Sequence, residues 1–375
     1  MKIGILTFPL RTNYGGLLQA YALQTVLKRM GHEVWMIRRE GRQHGIIKYL
    51  RKLKAKIKLL QGIEMAYIFP EHRIILEQNT SRFVQSYINP KTVIIEKESL
   101  LKRVVSKLNL EAYVVGSDQV WRFGYSSYLA NFFLDFVPQT KIVKRVAYAV
   151  SFGLNQWNYP EIWAKRCSDL AKKFNAISVR EDMGVVFCQK YLSVNAVHVL
   201  DPTMLLDKTE YMAIAETAQE KQSPGNLFYY ILDEAKEKTD LINSIELSSS
   251  LRAFTVMPLR RATPTNLKNH IEDCVFPPVS KWLRAYMDAK FVVTDSFHGT
   301  VFSIIFNKPF VVVANMDRGI ARIHSLLKMF GLQERLLHSF DEEIVKQEID
   351  WDRVNKELDK WKSKSLDFLS KNLGC

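Results

Sequence analysis

Residues 2–37 read KIGILTFPLRTNYGGLLQAYALQTVLKRMGHEVWMI, and this stretch decides the class of fold. Its first part, residues 2–8, is an almost unbroken apolar run, which predicts a buried β-strand. Apolar side chains then recur at helical spacing over residues 17–30, and Gly31 is a typical residue to follow a helix. Residues 33–37 predict a second strand. A strand, a helix and a strand in this order form a βαβ unit, the building block of a parallel sheet.

The same pattern returns along the rest of the chain. Short apolar runs that predict strands cover residues 112–115, 145–151, 176–179, 197–200, 227–232, 252–256, 291–294 and 309–314. We therefore predict two α/β domains, residues 1–205 and 206–345, joined by a polar stretch near residues 205–225. Residues 346–375 predict an amphipathic helix that returns toward the first domain.

One part of the first domain, near residues 40–90, departs from this alternation. Residues 38–58 contain nine Lys or Arg residues and one acid. Apolar side chains keep helical spacing there, at Ile46, Leu50, Leu53, Ile57 and Leu60. The pattern predicts a basic helical insertion. Three interpretations are open: its charges form the solvated face of a packed helix, they contact an anionic membrane surface, or they contact nucleic acid. Because no nucleic-acid-binding motif accompanies it, we expect no nucleic-acid partner.

The composition narrows the class of protein further. Lys and Arg total 53 against 39 for Asp and Glu, and the net charge of +14 favours anionic partners such as phosphorylated substrates. The four cysteines lie far apart without C-x-x-C spacing, which excludes a zinc ribbon and predicts reduced thiols in a cytoplasmic protein. The histidines show no metal-binding spacing, so we expect neither a metal nor a cofactor. No run of about 18 apolar residues occurs, so no transmembrane helix is predicted.

The stretch VVTDSFHGT at residues 292–300 gives the strongest indication of chemistry. A buried strand runs into a tight polar turn, and a helix is predicted to begin at His298. The N–H groups at the start of a helix attract phosphate and carboxylate groups. His298 is therefore a candidate proton shuttle, and Asp295 is a candidate to orient its imidazole. The alternative is that His298 only caps the helix.

Two polar turns after predicted strands are candidate ligand contacts. Asn13, Tyr14, Gly15 and Gly16 form the first turn, where paired glycines allow a ligand to approach the backbone. The turn lacks G-x-G-x-x-G spacing, so a dinucleotide site has little support, and a plain tight turn is the alternative.

Residues 116–121, GSDQVW, form the second turn. Asp118 and Gln119 are candidates to bind sugar hydroxyls, and Trp121 is a candidate to stack on a sugar ring. The alternative is a turn built by serine and aspartate beside a tryptophan of the core.

Three arginines stand at predicted ligand-binding edges. Arg180 closes a buried strand, whereas Arg318 and Arg322 lie four residues apart at a predicted helix start. Guanidinium groups bind carboxylate and phosphate with two hydrogen bonds at once. Each arginine alone is typical of a surface ion pair, but the three together indicate an anion site.

These motifs, in this order, resemble the polysaccharide pyruvyl transferase family. The stretches that carry the resemblance are residues 2–8, 13–16, 18–23, 116–121, 178–181, 200–203, 294–299 and 318–322. The resemblance implies two Rossmann-like α/β domains facing a cleft, as in the glycosyltransferase B fold. It also implies transfer of pyruvate from phosphoenolpyruvate onto two hydroxyls of a sugar, forming a cyclic ketal.

The resemblance also implies roles for particular residues. His298 matches the histidine proposed as proton donor in the family's His-Gly motif. Some members have an arginine two residues before that histidine, where this chain has Ser296, so another cation is expected to hold the phosphate. The residues expected to bind the donor are Arg180, Ser296, Gly299, Thr300, Arg318 and Arg322. Those expected at the acceptor or in the cleft are Asn13, Tyr14, Gly15, Gly16, Gln19, Asp118, Gln119 and Trp121.

Pyruvyl transfer in exopolysaccharide or cell-surface glycan synthesis is the function that this resemblance predicts. Two alternatives stay open: a sugar-nucleotide-dependent glycosyltransferase of the same architecture, and a non-catalytic scaffold at a membrane surface in glycan assembly. The expected partners are phosphoenolpyruvate, a glycan or lipid-linked sugar, and an anionic membrane surface. The expected location is the cytoplasm, with peripheral binding at the inner face of the plasma membrane.

Overall fold

A computed structural model of the protein describes residues 1–41, 68, 70–314 and 319–374. The predicted basic helix and Arg318 lie outside these residues. The described residues form two β-sheets in which every strand pair is parallel. We call the part built on the first sheet the first domain and the part built on the second sheet the second domain.

The first sheet has the strand order β2-β1-β3-β4-β5-β6. Its strands are β1 Lys2–Leu6, β2 Glu33–Ile37, β3 Ala112–Val115, β4 Lys144–Val150, β5 Ala176–Val179 and β6 Val197–His198. The second sheet has the order β11-β10-β9-β7-β8. Its strands are β7 Leu227–Tyr230, β8 Ala253–Phe254, β9 Phe291–Thr294, β10 Phe310–Val313 and β11 Leu336–Leu337. Two parallel sheets with helical crossovers confirm the predicted fold class.

Helices connect and cover the strands of both sheets. Those in the first domain are Tyr14–Arg29, Pro70–Leu76, Gln78–Tyr87, Glu98–Leu108, Glu161–Ala171 and Asp182–Phe187. Those that follow in the chain are Lys208–Thr217, Lys236–Ser249, Pro264–Asn269, Val279–Asp288, Phe297–Ile305, Ile320–Phe330, Glu342–Lys346 and Trp351–Leu373. Short helical turns are Leu129–Phe133, Cys188–Leu192, Pro202–Leu205, Ile271–Cys274 and Gln333–Arg335.

The first crossover helix begins earlier than the periodicity predicts. Its first residue is Tyr14, because the side chain of Asn13 accepts a hydrogen bond from the Gly16 N–H at 3.1 Å and caps the helix there. Gly15 and Gly16 are thus part of the first helical turn and not of a preceding loop, which corrects that part of the prediction.

A single cluster of buried apolar side chains runs through both domains. At their interface the ring of Tyr14 stacks on Trp282 with a centroid distance of 5.6 Å. The Tyr14 hydroxyl donates a hydrogen bond to the Pro277 carbonyl at 2.9 Å. Helix Tyr14–Arg29 therefore packs both on the first sheet, whose strands β1 and β2 it connects, and against the second domain.

The helix Trp351–Leu373 contacts both domains. Near its start, Arg353 donates a hydrogen bond to the Phe330 carbonyl of the second domain at 2.9 Å. Farther along, the Ser365 hydroxyl accepts one from the Leu200 N–H of the first domain at 3.0 Å. The apolar side chains Phe368, Leu369 and Leu373 are buried.

Candidate functional site

A cleft of about 720 Å³ lies between the two domains at the carboxyl ends of the sheets. The chain order reverses between β1 and β3 in the first sheet and between β7 and β9 in the second. Loops after these four strands line the cleft. Ligands bind at such reversal points because the loops on either side diverge and leave a crevice. The predicted site residues that line it are Asn13, Asp118, Gln119, Asp295, Ser296, His298 and Arg322.

His298 lies in the first turn of helix Phe297–Ile305, directly after β9. Ser296 begins this helix, and its hydroxyl accepts a weak hydrogen bond from the Gly299 N–H at 3.4 Å. The N–H groups of a first helical turn have no partner within the helix, so this wall of the cleft is suited to bind an anion. The side chain of His298 is 7% exposed, so its imidazole reaches the cleft but is largely shielded from water.

The carboxylate of Asp201 lies beside the imidazole of His298. The distance from Nε2 of His298 to Oδ2 of Asp201 is 3.6 Å, slightly longer than a hydrogen bond. Burial raises the pKa of Asp201, but the interaction with His298 and the charge of Arg180 outweigh it and hold this pKa well below its ordinary value. Asp201 is therefore an ionised carboxylate beside the imidazole.

The structure corrects the partner that was predicted for His298. The carboxylate of Asp295 accepts hydrogen bonds from the Leu232 N–H at 2.8 Å, the Asp233 N–H at 3.2 Å and the Lys238 amine at 2.6 Å. These bonds direct Asp295 toward the loop after β7, where it joins two strand ends of the second sheet. Asp201, not Asp295, is the carboxylate beside Nε2.

Arg180 lies behind the cleft wall rather than on it. Its side chain is fully buried, and its guanidinium donates to Asp118 and to Asp201, each at 2.8 Å. One face of the guanidinium lies 4.4 Å from the ring centroid of Phe297. Burial opposes the charge, but the two carboxylates raise the pKa of Arg180 above its ordinary value. Arg180 thus holds the walls of the site together, which differs from the predicted contact with the donor.

Arg322 is the predicted donor-binding arginine that lines the cleft. Its guanidinium lies 5.5 Å from the ring centroid of Phe297, the ring that Arg180 also contacts. Burial, followed by repulsion from Arg180, lowers the pKa of Arg322 to about 10. The group remains a cation at neutral pH in a weakly hydrated position, which is the condition in which a guanidinium binds anions well.

Comparison of the sequence with known families identifies the family of this chain. A profile described as polysaccharide pyruvyl transferase matches residues 13–318, which include His298, Asp201, Arg180 and both predicted turns. The chain belongs to the polysaccharide pyruvyl transferase family. The predicted family is thereby confirmed, and the protein is a transferase of polysaccharide biosynthesis. Among curated proteins, no match to this transferase is found.

Solved structures with a similar course of the chain include a glycosyltransferase and an epimerase. One is a glycosyltransferase from Rickettsia africae, with 13% identity over 100% of this chain and 98% of that chain and a TM-score of 0.46. Another is the UDP-GlcNAc 2-epimerase of Neisseria meningitidis bound to UDP-GlcNAc, with 11% identity over 100% and 99% of the two chains and a TM-score of 0.49.

Several predicted site residues of this pyruvyl transferase family member lie inside the protein. Trp121 is fully buried. Its indole N–H donates a hydrogen bond to the Phe132 carbonyl at 2.9 Å, and its ring stacks on Phe133 with a centroid distance of 4.5 Å. This position does not agree with stacking on a sugar. Tyr14 lies in the domain interface, as described above. The hydroxyl of Thr300 donates to the Ser296 carbonyl at 3.1 Å within its own helix.

Gln19 connects two strand ends of the first sheet. Its amide donates to Thr7 Oγ1 and to the Gly16 carbonyl, each at 3.0 Å, and its carbonyl accepts from the Ser117 N–H at 2.9 Å. All these groups are buried or partly buried. Gln19 therefore fixes the loops that shape the cleft, and its polar groups are occupied in doing so.

Asp201 and Tyr125 shape the site but were not among the predicted site residues. Asp201 directly follows a predicted strand, and this position at the carboxyl edge is a signal that could have identified it. Tyr125 lines the cleft with 51% of its surface exposed, but it lies in a loop without a periodic pattern. Burial and exposure of these side chains depend on tertiary structure, which the local sequence does not contain.

Within residues 1–41, 68, 70–314 and 319–374, no group of three or more His, Cys, Asp or Glu side chains is arranged to hold a metal ion. In the same part of the chain, no helix has the length and apolar character needed to cross a membrane.

Proposed function

We propose that this transferase moves pyruvate from phosphoenolpyruvate onto two hydroxyls of a glycan sugar and forms a cyclic ketal. The observation that supports this most is that a shielded histidine, His298, and a cation, Arg322, share one wall of the cleft. Phosphoenolpyruvate carries a phosphate, a carboxylate and a carbon that must be protonated. A cation and a helix start suit the two anionic groups, and the imidazole suits the proton transfer.

The proposed reaction balances with one proton shuttle. The oxygen of the first sugar hydroxyl bonds to C2 of phosphoenolpyruvate, while C3 takes a proton from His298 and becomes a methyl group. The bond from C2 to the phosphate oxygen then breaks, and phosphate leaves with the electron pair. The second hydroxyl oxygen bonds to C2 and closes the ketal. One hydroxyl proton returns to His298 and the other leaves with the phosphate.

Incubation with phosphoenolpyruvate and a panel of glycans tests this function. We expect release of phosphate together with an acid-labile ketal on the glycan. Parallel reactions with UDP-sugars measure the release of nucleotide. Nucleotide release without ketal formation would replace the proposal by a glycosyltransferase activity. A third outcome is that neither product forms with any glycan and that the His298→Ala variant still supports the cellular function. This outcome would favour a non-catalytic scaffold.

Arg322→Met is expected to weaken donor binding. The change removes a buried cation at the cleft wall while it keeps an unbranched apolar stem, so the KM for phosphoenolpyruvate should rise about 10- to 100-fold. The KM for the glycan should change little. Steady-state kinetics with each substrate varied in turn measures both constants. Arg260→Met, which removes an exposed arginine paired with Asp273 at 3.0 Å, is the control. A rise in the acceptor KM alone would reassign Arg322.

Tyr125 is proposed as the residue that stacks on the acceptor sugar, in place of Trp121. Its ring lines the cleft, is half exposed, and is held from one side by the Arg122 guanidinium at 4.1 Å from its centroid. A fixed aromatic face suits a sugar ring. Tyr125→Ala should therefore raise the acceptor KM about 5- to 10-fold. Tyr125→Phe, which keeps the ring, should stay near wild type, and equal effects of the two changes would contradict stacking.

We also propose that residues 46–60 bind the enzyme reversibly to an anionic membrane surface. They lie outside the described residues, so the argument rests on sequence: residues 1–60 carry +11 of the net charge of +14. Each basic residue near an anionic surface contributes about 1 kcal/mol. Liposome co-sedimentation should show binding that requires anionic lipid, weakens with salt and falls when Arg51, Lys52, Lys54 and Lys58 become glutamate. Equal recovery with neutral and anionic vesicles would refute it.

A further inference from the structure

His298 belongs to the second domain, but two groups of the first domain lie against its imidazole. The Asp201 carboxylate, which follows β6, lies 3.6 Å from Nε2. The backbone of Gly15, in the first turn of helix Tyr14–Arg29, lies against the other side of the ring. Residues of the first domain thus contact two sides of the imidazole of a histidine that belongs to the second domain.

The contact at Gly15 has no room for a side chain. A Cβ atom placed on Gly15 would lie 2.1 Å from both Cγ and Nδ1 of His298. Contacts below about 3 Å between such atoms require something to move. Glycine at position 15 therefore lets the helix backbone approach the imidazole so closely that the ring has little freedom to rotate.

The carboxylate of Asp201 is itself held in place by the first domain. Oδ1 accepts hydrogen bonds from the Thr203 N–H at 3.1 Å and the Thr203 hydroxyl at 2.8 Å. Oδ2 accepts from Arg180 at 2.8 Å and lies 3.2 Å from the Ser117 hydroxyl. With both oxygens fixed from one domain, the carboxylate presents a fixed negative charge to whatever the second domain places next to it.

The charged groups near His298 come from both domains. Asp118 interacts electrostatically with His298, Arg180 and Arg322, and Asp201 interacts with His298 and Arg180. Arg180 neutralises part of both carboxylates. Because Oδ2 of Asp201 is the carboxylate oxygen beside Nε2, Asp201 is the residue that can fix which ring nitrogen carries the proton.

We infer that Asp201 and Gly15 are positioning residues, which bring His298 into its working orientation and tautomer only when the two domains are closed on each other. The inference rests on the proposed function of His298 as the proton shuttle. Its consequence is that the second domain alone carries the histidine in an undefined orientation, and that closure both shields the site and completes it.

Two variants and two readouts test the inference. Asp201→Asn keeps the shape of the side chain and removes the charge beside Nε2, and Gly15→Ala displaces the ring. Each should lower kcat at least about 10-fold with little change in the KM for phosphoenolpyruvate. Asp273→Asn is the matched control, because it also removes the charge of a carboxylate paired with an arginine, Arg260 at 3.0 Å, but away from the cleft. It should leave kcat and the KM for phosphoenolpyruvate within about twofold of wild type.

Nitrogen NMR of labelled histidine gives a readout that does not depend on turnover. The signal of His298 is assigned by its loss in His298→Gln. We expect wild type to show a proton on Nε2, and Asp201→Asn and Gly15→Ala to change this signal, whereas Asp273→Asn preserves it. If the variants change the signal and no pyruvyl transfer is found, the positioning holds and the proposed function fails. If His298→Ala abolishes transfer but Asp201→Asn alters neither kcat nor the signal, the positioning is refuted.

Discussion

Replacement of His298 by alanine is expected to lower turnover by about 10²- to 10⁴-fold, the range for loss of a general acid–base group. The imidazole lies on the cleft wall beside an ionised carboxylate. The proposed donor, phosphoenolpyruvate, must be protonated at a carbon, and solvent protonates such a carbon slowly. The fold should stay intact, because the helix keeps Ser296 as its cap and the ion pairs of Arg180 remain. Phosphate release at saturating substrate measures the effect, and thermal unfolding monitors the fold.

His324→Ala is the matched control for this change. His324 is exposed on helix Ile320–Phe330, within the same domain, and its removal deletes an imidazole that does not line the cleft. Turnover of the control should stay within about twofold of wild type. Comparable activity of His298→Ala and His324→Ala would remove His298 from the chemistry.

Arg180→Met is expected to lower the free energy of unfolding by about 3–5 kcal/mol, the cost of breaking a buried ion pair by removing one partner. The guanidinium is fully buried and pairs with two carboxylates that are also shielded. Without it, Asp118 and Asp201 remain as two like charges in a weakly hydrated site. Urea unfolding at neutral pH measures the loss. Transfer activity should fall as well, because Asp201 loses one of its fixed contacts.

Arg166→Met gives the comparison at the surface. Arg166 pairs with Asp135 at 2.9 Å, and its side chain is 52% exposed. Such a pair contributes at most about 1 kcal/mol, so the control should unfold almost as wild type does. Similar small losses for both variants would show that the buried network contributes little to stability.

The pH dependence of the Arg180→Met effect follows from the two carboxylates. Burial alone would raise the pKa of Asp118 and of Asp201, but nearby cations hold both below the ordinary value. The stabilisation by ionised Asp118 and Asp201 is therefore present above the ordinary pKa of about 3.9 and is lost as the pH falls below it. The difference in stability between wild type and Arg180→Met should narrow over the same range.

The sequence predicted the sheets well because buried parallel strands leave a direct trace in it. The runs at residues 112–115, 176–179 and 291–294 coincide with β3, β5 and β9. Ligands bind at the carboxyl edge of parallel sheets, and this rule predicted that Asp118 and His298 line a ligand site although they are far apart in the chain. Both residues line the cleft. The strand predictions depend on periodicity, which is a local property of the sequence. The position of the cleft depends on topology, which follows from general rules for parallel sheets.

The direction in which individual side chains point could not be predicted from the local sequence. Trp121 and Asp118 are three residues apart in one turn, but Trp121 is buried in the core and Asp118 lines the cleft. Arg180 ends a strand at the expected edge and is nevertheless enclosed by two carboxylates from other loops. Each of these outcomes depends on what a distant segment places opposite the side chain, and no spacing rule within the segment contains that information.

The helix Trp351–Leu373 has a consequence for how the two domains are held together. The chain passes from the first domain to the second after Leu205, and this helix forms a second connection through Arg353 at one end and Ser365 farther along. The stacked rings of Tyr14 and Trp282 connect the domains at a further place. The relative orientation of the domains therefore depends on contacts far from the cleft, and these distant contacts help to set the position of His298 against Asp201.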